Sequence, residues 1–233
     1  MAGIERSPIY LPEQREIESE CGLSAIYLND PSYGDIRLMS YLASTALQHR
    51  AEGAAGMYVA NKSQEDAVKE LGTVAVAFDE GRRLPQIDNG KISIAHIRYP
   101  TSGGTNHKAN IQPFFKDGTW FAHHGNLTNA RQIEESLGKI KKGDDEPDSD
   151  SWVALNAVMQ ADGATLEEKL INAHREIHTV SGLSLWVFLN LKKILLVTYF
   201  PLNLVFTGIS IQPNFMKCFR VKQSRLMNME YIP

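Results

Sequence analysis

The chain has few cysteines, no excess of positive charge and no N-terminal signal peptide. Its two cysteines, Cys21 and Cys218, form neither a disulfide framework nor a metal cluster. The 24 basic residues against 27 acidic ones give a formal charge of −3, so charge offers no case for binding nucleic acid or an anionic membrane. No H-E-x-x-H or C-x-x-C spacing predicts a metal site. We therefore expect a protein of the reducing cytoplasm that holds neither a metal nor a cofactor.

The C-terminal part of the sequence has an unusual composition. The apolar stretch 194–209 is shorter than the ~20 residues that a membrane helix needs, and it contains Pro201 and Asn203. We expect it to form a buried hairpin or a misfolded, aggregation-prone tail. From Ser181 onward Glu230 is the one acidic residue. This shift suggests a reading-frame change or an abnormal terminus, which resequencing the coding DNA would test.

The 233 residues suit one large domain or two small ones, with strands and helices in alternation. Asn129 is predicted to cap a helix with Gln132 as its capping-box partner, and 139–149 reads as a charged loop. Helices are predicted at 35–49, 63–71, 129–137, 151–159 and 166–180. Strands are predicted at 25–28, 56–60, 72–78, 91–98, 120–123, 184–188 and 194–198.

Cys21 is the candidate nucleophile, although a lone cysteine in this place could also be a small buried apolar residue. It follows a polar, acidic leader of 20 residues and opens a predicted strand. The leader is either a loosely docked terminus or a propeptide that is cut between Glu20 and Cys21. Cleavage would give Cys21 a free α-amino group with a pKa near 8, which can accept the proton of its own thiol.

Three further residues could complete a site, and each also has a purely structural explanation. Arg98 ends a predicted strand, and its planar fork matches an α-carboxylate; alternatively, it forms a surface ion pair. Asp150 could receive an α-ammonium, or it could cap the helix that begins at Ser151. Gly125 follows a strand and would let backbone N–H groups approach an oxyanion, but a Gly-Asn turn alone is weak evidence.

The order of these motifs, rather than any one of them, resembles a known family. From Cys21 to about Phe188 the chain resembles the class II glutamine amidotransferase domain, which uses an N-terminal nucleophile, and within that class the amidophosphoribosyltransferase type. The motifs that carry the resemblance are Glu20-Cys21-Gly22, Leu47-Gln48-His49-Arg50 with Ala54-Ala55-Gly56, His96-Ile97-Arg98-Tyr99-Pro100-Thr101, Gln112-Pro113-Phe114, Ala122-His123 with Gly125-Asn126-Leu127-Thr128-Asn129-Ala130, and Ser149-Asp150-Ser151.

The resemblance implies an α+β fold, a four-layer αββα sandwich with Cys21 at the start of a central strand. It implies that Cys21 forms a thioester with the glutamine side chain and releases ammonia for making phosphoribosylamine from phosphoribosyl pyrophosphate in purine synthesis. It also implies roles for the neighbouring residues. Arg98 would hold the α-carboxylate, Asp150 the α-amine, Thr101 would line the pocket, Gly125 would donate to the oxyanion, and Arg50 would brace the nucleophile loop.

The resemblance also implies domain limits: a candidate propeptide at 1–20, a glutaminase domain at 21–198 and a divergent tail at 199–233. Family members continue into a phosphoribosyltransferase domain that accepts the ammonia, and we expect this chain to lack it. Oligomeric state stays open, with a homo-oligomer as one outcome.

Three positions inside the domain depart from the family pattern. His124 stands where an Asn usually supplies the second oxyanion donor, Ala51 replaces a glycine, and Trp152 replaces an acidic residue. His124 leaves open a non-catalytic or partner-dependent glutamine-binding module. Another N-terminal-cysteine amide hydrolase is a third possibility.

Overall fold

A computed structural model describes residues 21–99, 108–138 and 146–178 in full. It also describes the backbone of four strands between residues 184 and 222. The proposed leader and Thr101 lie outside the described residues.

The first sheet has four antiparallel strands, in the order β1-β4-β2-β3. They are β1 (Gly22–Tyr27), β2 (Ala54–Ala60), β3 (Glu65–Leu71) and β4 (Ile92–Arg98). Because β1 pairs with β4 alone in this sheet, it is an edge strand of the described sheet. The expectation of a central strand after Cys21 is therefore wrong.

The two faces of the first sheet pack against different layers. Side chains alternate along a strand, so Met57 and Val59 of β2 pack with the helices while Tyr58 and Ala60 face the second sheet. The helices of this outer layer are α1 (Ile36–Leu47), which a 3-10 turn (Gln48–Arg50) follows, and α2 (Val74–Ala77).

The second sheet has six antiparallel strands and its own helical cover. Its order is β10-β9-β8-β7-β6-β5, and the outer helices pack on Phe114 and Phe121. The resulting helix–sheet–sheet–helix layering confirms the predicted α+β four-layer fold. The strands are β5 (Phe114–Lys116), β6 (Thr119–His124), β7 (Ser184–Asn190), β8 (Lys193–Phe200), β9 (Asn203–Gln212) and β10 (Phe215–Lys222). The helices are α3 (Ala130–Ser136), α4 (Asp150–Gln160) and α5 (Leu166–His174).

Two neighbouring segments have the opposite type of secondary structure from the one predicted. Residues 63–71, predicted as a helix, contain β3, and residues 72–78, predicted as a strand, contain α2. Pairing with β2 along seven residues outweighs the helix preference of the Glu, Ala and Lys side chains of β3. In α2, the Thr73 side chain caps the first turn, which an apolar run of four residues does not reveal.

The remaining differences are smaller. Asn129 precedes α3 but its side chain makes no capping bond; it binds the backbone of Glu176 (2.6 Å) and His178 (2.9 Å) instead. The last helix ends at His174, earlier than predicted.

The predicted strand pair 184–188 and 194–198 is confirmed as the antiparallel pair β7–β8. The proposed division after residue 198 falls within β8, and β9 and β10 continue the same sheet. In the part of the chain that the structure describes, no helix is long and apolar enough to cross a membrane.

Gly56 of β2 lies directly against the backbone of the segment that leads into β5. A Cβ built on this residue would collide with the backbone carbonyl of Gln112, in the segment before β5. Glycine is therefore required here by space between the layers, and it fixes Gln112 over the first sheet.

Candidate active site

Cys21 lies immediately before β1, at one end of the space between the sheets. Leu23 and Tyr27, two and six residues further on, pack in the cluster between the sheets, so the alternation of the strand places Cys21 on that side. Arg50 Nε donates a hydrogen bond to the Cys21 carbonyl oxygen at 3.1 Å. The contact joins Arg50 to the backbone of Cys21, and the bracing role of Arg50 stays a prediction.

The Cys21 thiol is partly buried, and burial raises its pKa above the ordinary value. The Tyr99 backbone N–H and the Arg98 charge act in the opposite direction and lower it, whereas the charge of Asp150 raises it. The thiol is thus neutral near pH 7 and needs a base in order to attack.

Arg98 is the last residue of β4, next to β1. The antiparallel register pairs Gly22 with Ile97, so the next step of the same register brings Arg98 beside Cys21. Arg98 is 8% exposed. Because the Arg98 side chain is buried, it cannot form an ion pair at the protein surface. The surface ion pair that the sequence analysis left open for Arg98 is therefore wrong.

Asp150 is the first residue of α4, and the cap of that helix is Ser149, whose Oγ accepts from the Trp152 N–H. The explanation of Asp150 as a helix cap is thus wrong. Its Oδ2 accepts from the Leu127 N–H at 2.9 Å and its Oδ1 from the Ser151 N–H at 2.8 Å. Burial raises the pKa of Asp150, and these donors oppose that rise.

Three groups therefore lie near one another at this end of the domain: the Cys21 thiol, the Arg98 guanidinium and the Asp150 carboxylate. Both the Arg98 and the Asp150 charges act on the pKa of Cys21, which places each of them within electrostatic reach of the thiol. A buried cation and a half-buried anion around one nucleophile complement a zwitterion, such as the α-amino-acid end of an amide substrate.

The turn after β6 carries the other predicted residues. Gly125 has φ +143°, a conformation that residues with a Cβ rarely adopt. The side chains of Trp120 and Ala122 point between the sheets, and alternation puts His124 on the same side. Burial lowers the pKa of His96 to about 3, and the nearby His123 and His124 rings lower it further.

The other two departures from the family pattern have local explanations. Ala51 is buried with φ −158° and ψ +146°, an extended conformation that any residue adopts, so the Cβ causes no backbone strain. Trp152 packs edge-on against Phe114, with ring centroids 5.5 Å apart, and Lys116 Nζ lies 5.4 Å from its ring.

The sequence analysis named Gln112, His123 and Ser151 as family motifs but assigned them no contacts. In the structure they form one buried hydrogen-bonded group that reaches Asp150. Their place in the family motifs was the signal that the sequence offered. Within the residues that the structure describes, no group of His, Cys, Asp and Glu could hold a metal ion.

Comparison with known proteins agrees with the fold and the motif order, although no protein-family model matches the chain. Amidophosphoribosyltransferase 3, chloroplastic, of Arabidopsis thaliana is 34% identical over 170 residues, which cover 69% of this chain and 30% of that protein. The amidophosphoribosyltransferase of Mycobacterium tuberculosis is 34% identical over 174 residues, covering 69% and 32%. The chain thus spans about a third of the length of these relatives.

A solved structure shares the fold at lower identity. The glutamine phosphoribosylpyrophosphate amidotransferase from B. subtilis, in complex with ADP and GMP, aligns with a TM-score of 0.61 and 17% identity over 91% of this chain and 48% of that one.

The fold and these likenesses define the class: the chain is a glutamine amidotransferase domain with the N-terminal-nucleophile architecture. Within that class it belongs with the N-terminal domain of the amidophosphoribosyltransferases, which confirms the resemblance found in the sequence.

Proposed function

We propose that this domain hydrolyses the side-chain amide of glutamine, with Cys21 as nucleophile. The observation that carries the proposal is that Arg98, beside Cys21 in the strand register, and Asp150 both lie within electrostatic reach of the Cys21 thiol. Arg98 binds the α-carboxylate of glutamine and Asp150 its α-ammonium, so the side-chain amide extends towards the thiol. The role of Thr101 in the same pocket stays a prediction.

The reaction needs a base, because burial keeps the Cys21 thiol protonated. Removal of residues 1–20 supplies it as the α-amino group of Cys21. The sulfur attacks the amide carbon, and a C–S bond forms. The thiol proton passes through the α-amine to the leaving nitrogen as the C–N bond breaks and ammonia departs. Water then cleaves the thioester to glutamate and restores the thiol.

The tetrahedral intermediate carries a negative oxygen that needs donors. The Gly125 N–H supplies one, and φ +143° at this residue supports the turn that would present it. His124 supplies the second with a ring N–H. Arg50 holds the backbone of Cys21 through its carbonyl.

In the whole enzyme the ammonia serves phosphoribosylamine formation from phosphoribosyl pyrophosphate in purine synthesis. A phosphoribosyltransferase acceptor domain then acts as partner, whether it belongs to the same protein or to another chain. A propeptide at 1–20, a glutaminase domain that begins at residue 21, a possible homo-oligomer and a cytoplasmic location belong to the same proposal. One relative is named as chloroplastic.

A labelling experiment tests the proposal. The intact mass of the purified protein is measured before and after treatment with a glutamine-mimicking diazo-ketone that alkylates the nucleophile. We expect loss of residues 1–20 and one adduct, which Cys21→Ala abolishes and Cys218→Ala, the matched control at the other cysteine, retains. A full-length mass without an adduct would contradict the proposal.

His124 supports a second candidate, a glutamine-binding module without turnover. Loss of one oxyanion donor typically costs about 100-fold or more in rate. Glutamine binding in calorimetry, without ammonia release or an adduct, would favour this candidate. His124→Asn would then restore turnover.

A further inference from the structure

In the polar group next to Asp150, the directions of the two hydrogen bonds made by the Gln112 side chain are fixed. The His123 backbone N–H can only donate, so the Gln112 atom 2.6 Å away is the amide oxygen, Oε1. The other end of this amide, Nε2, must then donate to Ser151 Oγ at 3.2 Å. Gln112 is 5% exposed and Ser151 is 4% exposed, so water does not compete for these bonds.

Ser151 Oγ keeps one proton and one further acceptor position. Its two remaining neighbours are His123 Nδ1 at 2.9 Å and the carboxylate oxygen Asp150 Oδ1 at 3.4 Å. Burial lowers the pKa of His123 to about 3, so the ring is neutral and carries one proton. An ionised carboxylate accepts only. Asp150 receives the Ser151 proton in the arrangement that has the His123 ring proton on Nδ1, so that His123 donates to Ser151 and Ser151 donates to Asp150.

We propose that Ser151, held by Gln112 and His123, is a positioning residue that orients the Asp150 carboxylate towards the α-ammonium of the substrate. The Asp150 carboxylate accepts from three protein donors: the Leu127 N–H, the Ser151 N–H and the Ser151 hydroxyl. The inference depends on the proposed function, because it assumes that Asp150 receives the α-ammonium of glutamine.

The test compares two ligands that differ only at the group Asp150 is proposed to bind. Glutamine carries the α-ammonium, and glutaramate (4-carbamoylbutanoate) lacks it. Dissociation constants for both are measured by calorimetry on the full chain, and KM and kcat on the processed protein. Loss of the Ser151 hydroxyl in Ser151→Ala is expected to weaken glutamine binding about fivefold to tenfold and leave glutaramate binding unchanged, so the selectivity for the α-amine falls. KM for glutamine rises by the same factor while kcat changes less than twofold.

Two further variants separate positioning from general damage to the helix end. Ser151→Thr keeps the hydroxyl and should restore selectivity. Ser149→Ala, two residues away, removes the cap of α4 and lowers stability, but it takes no bond from the Asp150 carboxylate and should leave selectivity unchanged. Equal losses of both ligands in Ser151→Ala, or the same loss of selectivity in Ser149→Ala, would overturn the inference.

Asp150→Asn distinguishes this inference from the proposed function. If Asp150→Asn abolishes the selectivity and Ser151→Ala does not, the positioning role fails and the proposed function stands. If glutamine does not bind, or Asp150→Asn leaves the selectivity intact, the assigned role of Asp150 fails and the positioning role fails with it.

Discussion

Gly56→Ala is expected to destabilise the domain more than a typical glycine substitution. The added Cβ would meet the backbone carbonyl oxygen of Gln112, which cannot rotate away as a flexible side chain does. The sheets must therefore separate locally. Overpacking of a well-packed interior costs about 1–3 kcal/mol, and a backbone obstacle places this case near ~3 kcal/mol.

Thermal unfolding followed by circular dichroism measures this effect. For a domain of this size ~1 kcal/mol lowers Tm by roughly 2–4 °C, so Gly56→Ala should lower Tm by about 6–12 °C. Because Gln112 also holds Ser151, the variant should weaken glutamine binding as well.

Gly118→Ala provides the matched control. Gly118 has φ +74° in the two-residue Asp117-Gly118 turn between β5 and β6, and a Cβ there would meet nothing within 4 Å. It should cost about 1 kcal/mol from backbone strain alone. If Gly56→Ala lowers Tm no more than Gly118→Ala, the close contact between Gly56 and the Gln112 carbonyl is refuted.

Two further predictions concern charge. Arg98→Gln should raise the pKa of the Cys21 thiol and Asp150→Asn should lower it, because these charges act on the thiol in opposite directions; the pH dependence of iodoacetamide alkylation measures both. The buried rings of His96 and His123 have pKa values of about 3 when folded, against about 6.5 when unfolded. The unfolded state therefore binds more protons between these limits, and stability should fall as pH drops from about 6.5 towards 3, by up to ~1.4 kcal/mol per pH unit for each ring.

Each of these predictions has its own control. Alkylation is measured in a Cys218→Ala background, and shifts of the same sign in both variants would refute the assigned positions of the charges. For stability, His96→Met should make the fall in urea midpoint between pH 7 and pH 5 shallower, whereas His49→Met, at an exposed histidine, should not. An unchanged slope in His96→Met would show that burial of this ring does not set the acid sensitivity.

The local patterns of the sequence predicted most of the strands and helices and the order of the site residues. Residues 91–98 alternate and end near a proline, so the local pattern alone predicted a strand there. β3 and α2 were not, because their type depends on partners distant in sequence: β3 exists through its pairing with β2, and α2 begins at a Val74 N–H that Gln48 Oε1 accepts at 2.5 Å.

The sequence by itself determined the family, the candidate nucleophile and the expected ligand groups, because the order of motifs along the chain can be recognised without a structure. Only the tertiary structure decided that Arg98 is buried beside Cys21, that Ser149 rather than Asp150 caps α4, and that Ala51 is unstrained. It alone joined Gln112, His123 and Ser151 to Asp150. The physical reason is that burial and hydrogen-bond partners depend on contacts between segments that are far apart in the sequence. The local pattern of one segment does not reveal those contacts.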